Sequence, residues 1–92
     1  MSTIRISHSH SLNSEQLNAE LDKLMVDMKQ KYGVSSTKKN DQLIEISAPG
    51  VSGEVNIASQ KIELNIKLNM MLAMMAGKIE GDIKRYLDQH IV

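Results

Sequence analysis

"KIELNIKLN", residues 61–69, alternates without error. Ile62, Leu64, Ile66 and Leu68 fall on one side, and Lys61, Glu63, Asn65, Lys67 and Asn69 on the other. Successive side chains of a strand point to opposite faces. The segment therefore reads as a strand packed on one face and wet on the other, the signature of an antiparallel sheet. Upstream, "QLIEISAPG" (42–50) sets Ile44, Ile46 and Ala48 against Leu43, Glu45 and Ser47, and "GEVNIAS" (53–59) turns Val55 and Ile57 inward. Pro49-Gly50 marks one turn and Ser59-Gln60 the next. "TIRIS" (3–7) adds Ile4 and Ile6. A slip of one residue would send a strand's whole apolar set into water. Ile4, Ile6, Ile44, Ile46, Val55, Ile57, Ile62, Leu64, Ile66 and Leu68 should accordingly share one sheet face.

Between these strands, "LNSEQLNAELDKLMVDMKQKYG" (12–33) has the helical period. Leu17, Leu21, Leu24, Met28 and Tyr32 form one stripe. Asn13 and Gln16 have the spacing of a capping box, Leu12 and Leu17 that of a hydrophobic staple. Gly33 is placed to end the helix. Residues 70–92 predict a second helix capped by Asn69, with Leu72, Met75, Ile79, Ile83, Leu87 and Ile91 as its core stripe. Ala73, Gly77 and Gly81 form a strip of small residues on another side, which suits close approach of another backbone. The order is β-α-β-β-β-α. The expected fold is α+β, a four-stranded antiparallel sheet with two helices packed on one face.

The chain has 92 residues, which suits a single domain over 1–92. Its 11 basic and 11 acidic side chains cancel, so nothing in its charge argues for nucleic acid. Two tyrosines are the only aromatics, too few for stacking bases. Without cysteine there is no disulfide framework or thiolate site. The first residues lack the apolar run of a signal peptide, and no segment has the roughly 20 apolar residues of a membrane-spanning helix. A cytoplasmic protein is expected.

Four of the 7 methionines fall within six residues: Met70, Met71, Met74 and Met75. As Met70/Met74 and Met71/Met75, four apart on a helix, they cover an arc wider than one core stripe. Part of the cluster then fills the core, where thioethers pack irregular gaps. The rest leaves an adaptable apolar surface. Met70, Met71, Met74, Gly77 and Gly81 are the candidate interface, and a second copy of the chain is the expected partner.

His8 and His10 continue the Ile4/Ile6 face. With thioethers they could suit a soft metal, but the simpler reading is a strand end running out to solvent, and no metal or cofactor is expected. No serine sits in a nucleophile elbow, and no acidic residue is placed beside a histidine for a triad. Glu15, Glu20, Asp22 and Asp27 lie on the wet side of the first helix. Lys29, Lys31, Lys38 and Lys39 gather at its exit, where cations suit a helix C-terminus. The chain reads as a binding protein and not an enzyme.

"IRISHSHSL" leading into a long Leu-rich helix, "APGVSGEVNI" in the middle and "GKIEGDIKRYLDQ" near the end together resemble the polyhydroxyalkanoic acid system proteins, also called the polyhydroxyalkanoate granule-region family. The likeness extends over nearly the whole chain. It implies an accessory role in polyester storage, granule association, and granule-coat or polymer-synthesis proteins as partners. It brings no active-site residues. The alternative is a small carrier for an acyl or other apolar ligand, held in an enclosed cavity lined by Ile44, Ile57, Ile66 and Leu24.

Overall fold

The computed structural model describes residues 2–92. Its order is β1 (Ser2–Ser9), α1 (Ser14–Tyr32), β2 (Ser35–Asn40), β3 (Leu43–Ala48), β4 (Val51–Ile57), β5 (Lys61–Leu68), a 3₁₀ turn (Ala73–Met75) and α2 (Ala76–His90). The α+β class and the antiparallel sheet with two helices are as expected, but the sheet has five strands rather than four, in the order β1-β5-β4-β3-β2. Strands β2 to β5 form a meander. β1 pairs with β5, and α1 carries the chain from that edge to the opposite one.

The added strand is "SSTKKN", at the basic exit of the first helix. All of its residues are exposed, so burial imposes no apolar alternation on it. Backbone pairing to β3 holds it, from Ser35 opposite Ser47 to Asn40 opposite Leu43, with a bulge between Lys38 and Asn40. Lysines and a bulge are devices that discourage edge-to-edge aggregation. Lys39 also pairs with Glu45 of the neighbouring strand at 3.6 Å.

Register confirms the shared face. Ile6, Leu64, Val55 and Ile44 make one row across the sheet, and Ile4, Ile66, Gly53 and Ile46 the next. These side chains are buried with Leu17, Leu21, Leu24 and Met28 of α1 and Ile79, Ile83 and Leu87 of α2 in one core. Ile57 is only partly buried at its margin, and Ile91, just past the end of α2, is fully enclosed. Gly53 is an inner-face position without a side chain. A Cβ there would stand 2.5 Å from the Asn65 carbonyl oxygen and 3.0 Å from Ile66 Cα, so β4 and β5 approach too closely for any other residue.

The start of α1 is capped as its sequence predicts. Gln16 N–H donates to Asn13 Oδ1 at 2.8 Å, and Asn13 N–H donates to Gln16 Oε1 at 3.2 Å. Gly33 closes the helix at φ 68°, in the left-handed region open to glycine at no steric cost. The two tyrosines bridge the helices in opposite senses. Tyr32 of α1 donates to the Asp82 carboxylate of α2, and Tyr86 of α2 donates to the Glu20 carbonyl of α1 at 3.3 Å.

The second helix begins later than its sequence suggests. Residues 70–72 form a turn and the α-helix starts at Ala76. Asn69 caps that turn and not the helix: its side chain accepts from Leu72 N–H at 3.1 Å. Bonds of the i+3 to i kind follow, from Leu72 to Asn69, Met75 to Leu72 and Ala76 to Ala73. Met, Leu and Ala are good helix formers, but an Asn side chain bonded to the backbone favours a turn. This segment must also reverse the chain from β5 onto the covered face.

Candidate functional site

The tighter winding decides which methionines face solvent. With three residues per turn, side chains three apart eclipse one another. Leu72 and Met75 therefore turn together toward the core and are half-buried, while Met71 and Met74 turn together away from it. Met70, Met71 and Met74 are 79%, 85% and 94% exposed. A regular α-helix would instead have placed Met71 over Met75.

Behind this segment lies an open apolar pocket of about 260 Å³. The sheet contributes Ile46, Val51, Ile66 and Leu68, α1 contributes Met28, the 72–75 winding contributes Leu72 and Met75, and Val34 and Ile79 complete the wall. The pocket sits at the end of the sheet near the Pro49-Gly50 turn, where the end of α1 meets the start of α2. Inner-face Gly53 stands between Ile46 and Ile66 in the strand register.

Two polar residues line the pocket, Lys31 and Tyr32, both from the last turn of α1. Lys31 Nζ is 3.3 Å from Asp27 Oδ2, with both side chains substantially exposed. Tyr32 is held by Asp82, and burial, followed by its bond to that carboxylate, pushes its hydroxyl up to about 12. It stays protonated at physiological pH, a donor rather than a base. Asp82 also meets Arg85 at 3.3 Å. The Tyr32 hydrogen bond holds its carboxyl below the ordinary range, helped by Lys31, Arg85 and Lys78.

Of the residues expected to form an interface, Met70, Met71 and Met74 lie in the winding that edges the pocket. Gly77 is exposed on the first turn of α2 and Gly81 half-buried one turn further on; a Cβ built on either meets nothing within 4 Å among the described residues. The small-residue strip thus faces away from the protein's own core. Of the four residues expected to line a carrier cavity, Ile66 lines the pocket and the others do not. Leu24 and Ile44 are packed solid in the core, and Ile57 stands at the opposite end of β4. Lys31, Tyr32, Leu72 and Val34 were not expected at a site. The three-residue spacing of Leu72 and Met75 was a usable signal; the meeting of α1 with the 72–75 segment was not.

The histidines belong to the other end of the sheet. The strand end does not run out to solvent as expected, because the segment after α2 folds over it. His8 Nε2 bonds the Ile91 carbonyl oxygen, and Ser11 N–H donates to the Val92 carbonyl at 3.0 Å. His10 is buried. Its Nδ1 accepts from Leu12 N–H at 3.1 Å, which places the ring proton on Nε2, and that atom has no partner among the described residues. Burial, then the nearby charge of His8, lowers the pKa of His10. Among the described residues, no group of three or more His, Asp or Glu is placed to hold a metal ion. No described helix is long and apolar enough to cross a membrane.

Fold and site together define a small helix-backed antiparallel sheet with an aliphatic pocket open at one end. The model of the polyhydroxyalkanoic acid system protein family, of the granule-region type, matches residues 4–91, and the chain belongs to that family. No curated protein and no solved structure matches it.

Proposed function

We propose that this chain is a non-enzymatic accessory protein of the polyhydroxyalkanoate system, cytoplasmic and granule-associated. It acts by binding through the pocket end of the molecule. The observation that carries this reading is the aliphatic pocket edged by three exposed methionines. Flexible thioethers adapt to irregular apolar surfaces, and a cluster of exposed apolar side chains on a soluble protein commonly marks a contact site. The partner is the polyester or a protein that coats or makes it. A second copy of the chain can meet the same surface over Gly77 and Gly81. The polar groups at the pocket support binding over catalysis: an ion-paired lysine and a tyrosine locked as a donor.

Sedimentation with polyhydroxybutyrate particles tests the proposal. The wild type should partition onto them, and the triple variant Met70→Ser, Met71→Ser, Met74→Ser should bind at least fivefold more weakly with its melting temperature unchanged. A wild type that stays in solution, or a triple variant that binds equally well, refutes it. The pocket itself favours a second reading, a carrier for a small apolar ligand. That role would leave ligand uptake intact in the triple variant.

A further inference from the structure

The polarity of the pocket is one-sided. Both polar lining residues, Lys31 and Tyr32, are neighbours on the last turn of α1, and the sheet and the 72–75 segment contribute only aliphatic and thioether groups. We infer that the pocket takes a straight-chain monocarboxylic acid of about eight carbons, its chain against Ile66, Leu68 and Leu72 and its carboxylate at Lys31 Nζ. This deepens the reading of the pocket as a binding site and rests on it.

The chain length follows from volume. A methylene fills about the space of one water in the liquid, roughly 30 Å³, so 260 Å³ admits about eight carbons. The walls suit a flexible chain, because apart from the Tyr32 ring and the Lys31 side chain they are aliphatic and thioether groups. The head group follows from charge. Among the described residues that line the pocket, Lys31 is the only charged one, so the lining carries a cation and no carboxylate. Lys31 is half exposed and has two further N–H donors beyond its contact with Asp27. The Tyr32 hydroxyl gives its proton to Asp82 and keeps a lone pair. It therefore has no proton to give the ligand's carboxylate, which is left to Lys31.

Titration of the intact chain with butanoate, hexanoate, octanoate and dodecanoate, read by methyl chemical shifts, tests both parts. Affinity should rise about fourfold per methylene as apolar area is buried, and level off near eight carbons. Shifts should centre on Ile66, Leu68 and Leu72. Octanoate should bind about fivefold tighter than octanol, the scale of a half-exposed ion pair. Lys31→Met, which keeps the stem and removes the charge, should abolish that preference and leave octanol binding unchanged. Equal binding of octanol and octanoate by the wild type overturns the head-group assignment and leaves the apolar site standing. Absence of methyl shifts with every chain length overturns the ligand class. Particle sedimentation still decides the broader reading in that case, because it depends on the exposed methionines.

Discussion

Replacing Gly81 by alanine should stabilise the protein, and the structure sets the size of the gain. Gly81 lies inside α2 with an ordinary negative φ, and an added Cβ meets nothing within 4 Å. The gain is then the helix propensity difference of about 1 kcal/mol, part of it from the smaller entropy of the unfolded chain. Gly77 is the second residue of the helix, where fewer helical bonds depend on it, so about half that is expected. The double variant should gain about 1.5 kcal/mol, or about 6–12 °C in Tm for a domain of this size. Gly53→Ala supplies the opposite sign. Its Cβ would press on the Asn65 carbonyl and Ile66 Cα, both backbone atoms, so β4 must move away from β5. Overpacking of this kind costs about 1–3 kcal/mol. Thermal and urea unfolding followed by circular dichroism at a few concentrations reads all three. If Gly81→Ala lowers Tm at the lowest concentration, the space beside α2 is not open and the reasoning fails. If it raises Tm when dilute and removes a rise of Tm with concentration seen in the wild type, the strip is a contact between copies.

Asn13→Ala removes the side-chain acceptor of the Gln16 N–H and leaves the backbone N–H that donates to Gln16 Oε1; it should cost about 1 kcal/mol, read as a lower urea midpoint with unchanged slope. Tyr32→Phe removes the bond from α1 to Asp82; the Asp82 carboxyl should then titrate closer to the ordinary range in carbon-detected NMR, and a carboxyl that does not move would contradict the assigned cause. His10 has a lowered pKa when folded, so the unfolded chain takes up its proton first on acidification. Stability should be full above the ordinary histidine pKa of about 6.5 and fall as pH drops from there through the folded value; His10→Gln should flatten that part of the urea-midpoint profile, and an unchanged slope would refute the assignment.

Much of this fold could be read from the sequence because burial writes a period into it. Ile62, Leu64, Ile66 and Leu68 alternate because one face of β5 is covered, and Leu17, Leu21 and Leu24 recur at helical spacing for the same reason. Ser35–Asn40 carries no such mark. An edge strand with every side chain in water is specified by its neighbour's backbone, and that pairing leaves no trace in its own residue types. The methionine segment misled for a different reason. Its residues favour a helix, but the hydrogen bond that Leu72 N–H donates to the Asn69 side chain tightens the first turns. That change of period exchanges the neighbours of Met71 and Met75. The exposure of Met70 and Met74 was foreseeable, whereas the pocket was not. It is made where α1, the sheet and the 72–75 segment converge, and no local pattern encodes that meeting.

The pairing of β1 with β5 has a kinetic consequence. Strands β2 to β5 join through short turns, and each hairpin can zip from its own loop. β1 can reach β5 only after α1 and the three strands between them have been spanned, with Ser9 coming to rest opposite Lys61 and Ser2 opposite Leu68. Closing so long a loop sacrifices chain entropy before any contact compensates for it. Chain entropy thus favours a meander first and its last strand afterwards. Until β1 docks, the inner edge of β5 stands open with Ile62, Leu64, Ile66 and Leu68 beside it. During synthesis β1 emerges first and waits longest for its partner.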